Sequence, residues 1–377
     1  MQAASGRDAP DRCPGAVQVH EAADGGLARI RLPGGRLTAT RLEVLRAAAA
    51  ELGDPALELT SRGNVQVRAL RPGAEHELGA RLSDAGLLPS ATHERVRNIV
   101  ASPLSGVDGR GELDVRPVVR EFDERLCATP ELAGLPGRFL ATIDDGRGDV
   151  TPLLGDVGLH GSRLVLAGAP TSASGGAELL VRAALAFLAE RAAQGSRAWR
   201  LAELEDGPAR VAARLGTALT ADGTNRANPV EPGLIAQAGG GAAVVVVAPL
   251  GLLTGAQSAA LAGAAKEMIV TPWRTVVVPA VPMEEADPTV AGLAATGLTA
   301  DPASPWAGVT ACAGRPGCAK ALADVRSDAR AAVAAAGARE PGAVPVHWVG
   351  CERRCGAPRG RHVEMLATPG GYRSAVV

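Results

Sequence analysis

Two stretches of the chain carry the same order of apolar and polar positions. Each has an apolar strand, a glycine-containing turn with Leu-Thr, an alanine-rich helix and a further strand that alternates or runs apolar. The first copy extends from Gly25 to Leu70 and the second from Gly240 to Val281. Such patterns predict core strands around an amphipathic or buried helix. Thr38 and Thr254 stand where a helix N-cap belongs, so the pattern predicts a duplicated unit.

A longer segment of mixed helix and strand follows each copy. The first contains the apolar helix "GGAELLVRAALAFLAERAAQG", and in the second a helix is predicted from about Cys318 to Ala336. The polar stretch 221–233 is the predicted break between the halves. We therefore divide the chain into a flexible tail (1–14), a first repeat (15–80), a first α/β domain (85–225), a second repeat (228–290) and a second α/β domain (300–377). Duplication alone does not specify chemistry.

Composition excludes several classes of partner. The 39 basic and 40 acidic residues give a net charge of −1, so no global field attracts nucleic acid or an anionic membrane. No uncharged apolar run is long enough to span a bilayer, and the opening "MQAASGRDAPDR" lacks the apolar segment of a secretory signal. We expect a cytoplasmic location, where thiols stay reduced.

Four of the six cysteines form two tight pairs, with the spacings C-x5-C and C-x3-C. They are Cys312 with Cys318 and Cys351 with Cys355. Structural zinc sites favour shorter knuckles around one small ion, whereas a cubane iron–sulfur cluster accepts thiolates from longer loops. The loops also hold small residues that let backbone amides approach a cluster: Gly314, Gly317, Gly350 and Gly356. A cluster is the favoured interpretation, zinc and inert thiols are the alternatives, and Cys13 and Cys127 are interpreted as incidental thiols.

The chain resembles the sulfite and nitrite reductase superfamily in three motifs. The two cysteine pairs resemble its cluster motif, "LTSRGNVQVRAL" (59–70) its tetrapyrrole-binding strand, and "RVRNIVASPLSG" (95–106) the loop that follows. The resemblance implies an α+β fold with duplicated ferredoxin-like half-domains and two α/β reductase-type domains about a pseudo-two-fold axis. It also implies an iron–sulfur oxidoreductase with a [4Fe–4S] cluster on the four paired cysteines and a tetrapyrrole groove.

Within that superfamily, "RCPGAVQV", "GGRLTATRL" and "TPWRTVVV" resemble the branch that acts in aerobic cobalamin biosynthesis. The reaction this implies is oxygen-dependent hydroxylation of precorrin-3A at C20 with formation of a γ-lactone, a monooxygenase activity. Its partners would be precorrin-3A, dioxygen and an electron donor, either NAD(P)H through a reductase or a ferredoxin. A mononuclear iron could bind the oxygen, but the six histidines (His20, His76, His93, His160, His347 and His362) form no 2-His-1-carboxylate pattern. His347 lies nearest the cysteine loops in sequence.

One departure from the superfamily bears on the chemistry. The assimilatory reductases carry a P-R-K-F-K element whose two lysines protonate the anion bound on siroheme, and this chain reads "PGRFL" from Pro136 to Leu140. Arginine side chains are too weakly acidic to donate protons near neutral pH and leucine has no proton to give, so neither Arg138 nor Leu140 replaces a lysine. Bound siroheme and a sulfite or nitrite reductase activity are therefore the less favoured alternative.

Arginines would recognise the carboxylates of a precorrin, because a guanidinium binds a carboxylate through two hydrogen bonds. We expect Arg62, Gln66 and Arg68 to share one face of a strand, Arg97 to come from the next loop, Arg138 from another strand and Arg274 from the second repeat. A third possibility is a non-catalytic electron carrier or tetrapyrrole-binding module, which would keep the cysteines without needing these arginines. Glu352, Arg353 and Arg354, between the last two cysteines, would face solvent or an electron donor.

Overall fold

The structure, a computed structural model, describes residues 13–221, 223–224, 227–340 and 342–377. It contains two compact units that interleave along the chain. Unit 1 comprises the described residues up to Ala16 with Ile30–Gly35 and Gly86–Pro229, and unit 2 comprises Val17–Arg29, Arg36–Ala85 and Val230–Val377. The last change of unit lies within the predicted break at 221–233. The predicted tail lies outside the described residues except for Cys13 and Pro14, and the five-part division of the chain stays a prediction.

The first copy of the repeat folds as predicted, with strands on either side of a helix. Its elements are β1 (His20–Ala22), β2 (Gly25–Ile30), β3 (Arg36–Thr38), α1 (Ala39–Leu52), β4 (Leu57–Leu59), β5 (Val65–Leu70) and α2 (Ala74–Asp84). Thr38 caps α1, because its side chain accepts a hydrogen bond from the Arg41 amide. Helix α1 buries Leu42, Leu45 and Leu52 on one side.

Unit 1 is an α/β layer built on one five-stranded sheet. Its elements are β6 (Ile99–Ala101), α3 (Arg116–Ala128), β7 (Ala141–Asp144), β8 (Val157–His160), β9 (Arg163–Leu166), β10 (Ala169–Ser174), α4 (Ala177–Ala193) and α5 (Gly207–Arg214). The strand order is β10-β9-β8-β7-β6, with β6, β7 and β8 parallel. The predicted apolar helix is α4, which buries Leu180, Val181 and Phe187.

The second copy repeats the order of the first. Its elements are β11 (Gly233–Ala236), β12 (Ala242–Val247), β13 (Leu252–Leu253), α6 (Gly255–Ala264), β14 (Glu267–Val270), β15 (Thr275–Val281) and α7 (Ala286–Ala294). Thr254 caps α6 in a full capping box with Gln257, as the sequence predicts. Every residue of β12, "AAVVVV", is buried, which suits the β-branched side chains of a central strand.

Each copy contributes one short strand to the sheet of the other. The first sheet runs β1-β2-β5-β4-β13 and the second runs β11-β12-β15-β14-β3. Thus β13 of the second copy pairs with β4, and β3 of the first copy pairs with β14. The exchange is reciprocal, and it joins the two copies of the repeat through backbone hydrogen bonds.

The two copies also repeat unusual backbone conformations. Gly34 (φ 63°) matches Leu250 (φ 57°), and Ala69 (φ 50°) matches Ala280 (φ 58°). A left-handed conformation is uncommon for a residue with a side chain, so its recurrence at matched positions indicates one ancestral backbone.

The C-terminal part of unit 2 is a four-stranded sheet with one helix. Its elements are β16 (Val309–Ala311), α8 (Val325–Ala335), β17 (Val346–Val349), β18 (Val363–Thr368) and β19 (Gly371–Val376). The prediction that a helix begins at Cys318 is wrong. Helix α8 begins at Val325, because the Asp324 side chain caps it by accepting from the Ser327 amide, and the preceding segment forms turns around Pro316 and Gly317.

None of the helices in the described part of the chain is long and apolar enough to cross a bilayer.

Candidate metal centre

The C-terminal sheet brings the two cysteine pairs together. Strands β16 and β17 are parallel neighbours, with Ala311 opposite Trp348. Cys312 follows β16 directly, its amide donates to the Trp348 carbonyl (2.9 Å), and Cys351 lies two residues beyond the end of β17. Since the carboxyl ends of parallel strands meet at one edge of a sheet, the loops that follow carry their cysteines to the same place.

Close contacts join the two cysteine loops. The Gly350 amide donates to Cys312 Sγ (3.3 Å), and the Leu322 amide donates to the Gly350 carbonyl (2.8 Å). A Cβ atom added at Gly350 would stand 2.7 Å from the Ala321 Cβ, so only glycine fits there. The sequence prediction that glycines allow backbone amides to approach the cysteines therefore has a direct example at Gly350.

The four paired cysteines are free thiols that share one electrostatic environment. Partial desolvation raises the pKa of the Cys355 thiol above its ordinary value, although the residue reaches the surface, and the charges of Cys312, Cys351 and Cys318 raise the pKa further. Such mutual repulsion is relieved when thiolates share a cation, so the donor set fits a metal–sulfur group. Within the described ranges, no three His, Cys, Asp or Glu side chains are grouped so as to hold a single metal ion.

His347 supports the second loop from the middle of β17. Its ring is fully buried, with Nε2 3.2 Å from the Cys355 carbonyl and Nδ1 2.8 Å from Thr310 Oγ1. Because a carbonyl only accepts, Nε2 carries the hydrogen and Nδ1 accepts from the threonine. Burial, helped by the Arg274 charge, lowers the pKa of His347 to about 3 and keeps the ring neutral. The sequence suggested this histidine only by its position next to the loop.

Arg68 joins the predicted tetrapyrrole-binding strand to the first cysteine loop. Its guanidinium makes two 3.0 Å hydrogen bonds to Asp24, and Nη2 lies 2.8 Å from the carbonyl of Gly317, the neighbour of Cys318. Arg68 is buried, and burial works against its charge, but Glu58 and Asp24 outweigh burial and raise its pKa. Its charge is thus already balanced inside the protein.

Gln66 lies on the same face of β5 as Arg68, as predicted from their spacing. Its amide donates to Glu58 (2.9 Å), and its oxygen accepts from Arg29 (2.8 Å). Glu58 also pairs with Arg326 of α8, so a buried polar network connects this strand to the helix after the first cysteine loop.

Arg62 does not lie in that strand, contrary to the prediction. It occupies the turn before β5, where its amide donates to Thr60 Oγ1 (3.3 Å). The strand begins only at Val65, because Gly63 takes a left-handed conformation (φ 64°) in the turn. Arg62 therefore shares no face with Gln66 and Arg68.

Arg274 packs against the second cysteine loop. Its Nη2 donates to the carbonyl of Gly356 (3.1 Å), the residue after Cys355. Burial lowers the pKa of Arg274 to about 10, and the neighbouring Arg326 lowers it in the same direction. This arginine thus lies at the cysteines in the structure, and its predicted contact with substrate stays a prediction.

The two predicted arginines of unit 1 have different surroundings. Arg97 is buried and forms a two-pronged ion pair with Asp123 (2.7 and 2.6 Å). Arg138 is exposed, with its guanidinium 4.7 Å from the ring centre of Trp199. It lies in a turn before β7 and not in a strand as predicted, because the chain between Pro136 and Phe139 closes with a Phe139 amide to Pro136 carbonyl bond (2.8 Å).

Unit 1 also contains a buried acidic edge that the sequence analysis missed. Asp144, at the end of β7, accepts from four backbone amides between Gly146 and Thr151. Asp149 accepts from Ser102 (2.6 Å), and burial raises the pKa of Asp149 to about 7. The sequence signal for this acidic edge was "DDGRGD" at the end of an apolar strand. Its glycines allow a tight loop at the carboxyl edge of a parallel sheet.

The first repeat and the fold as a whole are both similar to known proteins. Residues 20–85 match the family described as "Nitrite/Sulfite reductase ferredoxin-like half domain". The fold is similar to the Mycobacterium tuberculosis NirA protein, with a TM-score of 0.70 and 21% identity over 93% of this chain and 73% of that one. The fold is therefore similar to that of NirA, and it contains the ferredoxin-like half-domain that the sequence motifs predict.

Among the relatives, the similarity to a precorrin-3B synthase extends along nearly the whole chain. The synthase of Sinorhizobium sp is 27% identical over 96% of this chain and 81% of its own length. A ferredoxin–nitrite reductase of Synechococcus elongatus is 32% identical, but over only 32% of this chain and 25% of its own. A ferredoxin sulfite reductase of M. tuberculosis is 30% identical over 35% of this chain and 24% of its own. The resemblance to the superfamily, and within it to precorrin-3B synthase, is confirmed.

Proposed function

We propose that this protein is an oxidoreductase of cobalamin biosynthesis that hydroxylates precorrin-3A at C20, with dioxygen as oxidant and with formation of a γ-lactone. One oxygen atom enters the product, and the other leaves as water after taking up two electrons and two protons from a donor. The observation that carries the proposal is the extent of the similarity. It covers 96% of the chain for the precorrin-3B synthase and about a third for the reductases.

The four paired cysteines would hold a [4Fe–4S] cluster. When bound, such a cluster supplies electrons one at a time, which reduction of dioxygen requires. The chain's own contribution is to fix the ligands: β16 and β17 carry Cys312 and Cys351, the Gly350 amide donates to a cysteine sulfur, and His347 holds the Cys355 carbonyl. Peptide amides that donate to cluster sulfurs tune the reduction potential.

The arginine set would bind the carboxylates of the macrocycle. Arg138 is exposed and can meet a substrate anion directly. Arg68 and Arg97 are already paired with Asp24 and Asp123, so we propose that they mainly position their backbone segments. Arg62 and Gln66 complete the proposed set, whereas Arg274 lies against the second cysteine loop.

The region of the missing lysines favours this function over anion reduction. Leu140 is buried with 3% of its surface exposed, and its amide donates to Asp156 (2.8 Å). Arg138, at the other lysine position, lies against Trp199. Neither side chain can deliver the repeated protons that six-electron reduction of sulfite or nitrite needs.

The first experiment is a visible absorption spectrum of protein purified without air, before and after dithionite. A broad absorption that bleaches, without sharp porphyrinoid bands, is expected. Precorrin-3A with dioxygen and a chemical reductant should then give a product heavier by one oxygen atom. Sharp siroheme bands with turnover of sulfite or nitrite would instead show the reductase, and a colourless zinc protein would contradict both.

A substitution separates an enzyme from a carrier. Arg62→Ala should lower turnover of precorrin-3A strongly while leaving the cluster spectrum unchanged. The exposed Arg182 of α4 supplies a matched control, because Arg182→Ala removes the same charge on another element. Full activity of Arg62→Ala would favour a non-catalytic electron carrier. We further propose that the protein works in the cytoplasm, where its free thiols stay reduced.

A further inference from the structure

Arg274 stands where the first copy of the repeat has a glycine. In the first copy the Thr60 amide donates to the Asn64 carbonyl (2.9 Å) and the Gly63 amide to the Thr60 carbonyl (3.1 Å). In the second copy the Thr271 amide donates to the Thr275 carbonyl (2.9 Å) and the Arg274 amide to the Thr271 carbonyl (3.1 Å). The turns are the same, and φ is 64° at Gly63 and 61° at Arg274.

A left-handed conformation suits glycine and disfavours arginine, because the Cβ atom crowds the backbone. Such conformations persist where the surroundings determine them, and they concentrate at functional sites. The second copy therefore keeps an unfavourable residue at a position where the first copy has the favourable one. The side chain at this position must supply something that glycine cannot.

Two glycines make room for the Arg274 side chain. A Cβ atom added at Gly251 would stand 2.5 Å from its Cδ, and one added at Gly356 would stand 2.6 Å from its Nη2. The same Nη2 donates to the Gly356 carbonyl (3.1 Å), directly after Cys355. The guanidinium is thus held against the second cysteine loop.

The charge of Arg274 lacks a carboxylate partner in the described part of the chain. Its hydrogen bond goes to a neutral carbonyl, whereas Arg68 at the first cysteine loop has Asp24. Burial lowers the pKa of Arg274 to about 10, although the charges of Glu58 and Cys312 act in the opposite direction. A partly buried cation that forms no ion pair with a carboxylate is costly, so an anion is expected beside it. Four thiolates around a cluster carry net negative charge and meet that need.

We propose that Arg274 is a positioning residue for the metal–sulfur centre, where it fixes the Cys355 loop and balances the negative charge of the four thiolates, and that it does not bind the carboxylates of the substrate. This inference rests on the cluster in the proposed function. Removing the guanidinium disfavours the more negative, reduced state of the centre, so the reduction potential should fall.

The test compares Arg274→Gly and Arg274→Lys with two controls. Glycine restores the residue of the first copy and suits the left-handed backbone, while lysine keeps the charge. Ala280→Gly relieves a left-handed residue (φ 58°) near the opposite end of β15 from Arg274, and Arg330→Gln removes an exposed charge from α8. The readouts are iron and sulfide per chain, and the midpoint potential from an anaerobic dye titration.

Arg274→Gly should lower the ratio of reduced to oxidised centre at a fixed potential by about tenfold. For a one-electron couple this is a fall of ~59 mV in the midpoint potential. Arg274→Lys should lie between it and wild type, and both controls should match wild type. If Arg274→Gly loses iron instead, Arg274→Lys should retain more iron. This inference would be wrong, and the proposed function would still stand, if wild type and Arg274→Gly had equal midpoint potentials and iron contents. The same would hold if both Arg274 variants lost equal amounts of iron. Wild-type protein without an iron–sulfur centre would contradict the proposed function and this inference with it.

Discussion

Asp149 shows at the scale of one residue how burial changes acid–base behaviour. It is 4% exposed, receives a hydrogen bond from Ser102 and lies near Asp144 and Asp145. Burial, the largest effect, raises its pKa to about 7, so folding favours the protonated form. Its contribution to stability is complete below its ordinary pKa near 4 and is lost as the pH rises through about 7.

We expect Asp149→Asn, which cannot ionise, to gain stability over wild type as the pH is raised from 5 to 8. The gain should be about 1.4 kcal/mol for each pKa unit of the shift, up to a few kcal/mol. Urea unfolding at pH 5, 6, 7 and 8 measures it, with Asp287→Asn as an exposed carboxylate control. A difference between Asp149→Asn and wild type that does not change with pH would contradict this account.

The sequence predicts residue chemistry better than residue contacts. The four paired cysteines and the glycines beside them follow from spacing and composition, because loops that carry ligands have local signatures. The partners of Arg68 and Arg97 do not, since Asp24 and Asp123 lie far from them in sequence. The sequence pattern around an arginine on a strand is the same whether its side chain faces a substrate or an internal carboxylate.

At the scale of the element, the two repeat helices begin with different caps. Thr254 accepts from the Gln257 amide (3.2 Å), and Gln257 Oε1 accepts from the Thr254 amide (2.9 Å). Thr38 has only the first kind of bond, to the Arg41 amide (3.3 Å). The sequence predicted both caps because threonine before an apolar helix is a local signal, whereas the start of α8 depended on turns that the apolar pattern did not reveal.

Thr254→Ala and Thr38→Ala should therefore each reduce the free energy of unfolding by about 1 kcal/mol, because each removes the hydroxyl that accepts from an amide of the first helical turn. Thr254→Ser keeps the hydroxyl and should stay near wild type. Thermal unfolding of the three variants, followed by circular dichroism, provides the comparison. A loss in Thr254→Ser as large as the loss in Thr254→Ala would show that the hydroxyl cap adds nothing.

At the scale of the whole molecule, the exchange of β3 and β13 makes each repeat sheet depend on both copies. The internal repeat was visible in the sequence, but the exchange was not, because strand pairing between distant segments leaves no local pattern. Sheet edges without partners expose unpaired backbone groups and promote aggregation.

A fragment of residues 230–377 lacks β3, so its strand β14 (Glu267–Val270) would have an open edge. We expect this fragment to be poorly soluble and to lack cooperative unfolding. Size-exclusion chromatography and urea titration of the fragment test this, with the full chain as reference. A monomeric fragment with a sharp unfolding transition would show that the exchanged strand is dispensable.

The reciprocal exchange also bears on ancestry. A protein with a single copy of this repeat could complete its sheet only by receiving the short strand from a second molecule, which would return its own in the same way. Such an arrangement is a symmetric homodimer with one self-complementary interface. Fusion of the two genes would turn that interface into an internal one and free each half to diverge. One half could then keep glycine at the turn before its last strand, while the other acquired Arg274 beside the cysteines.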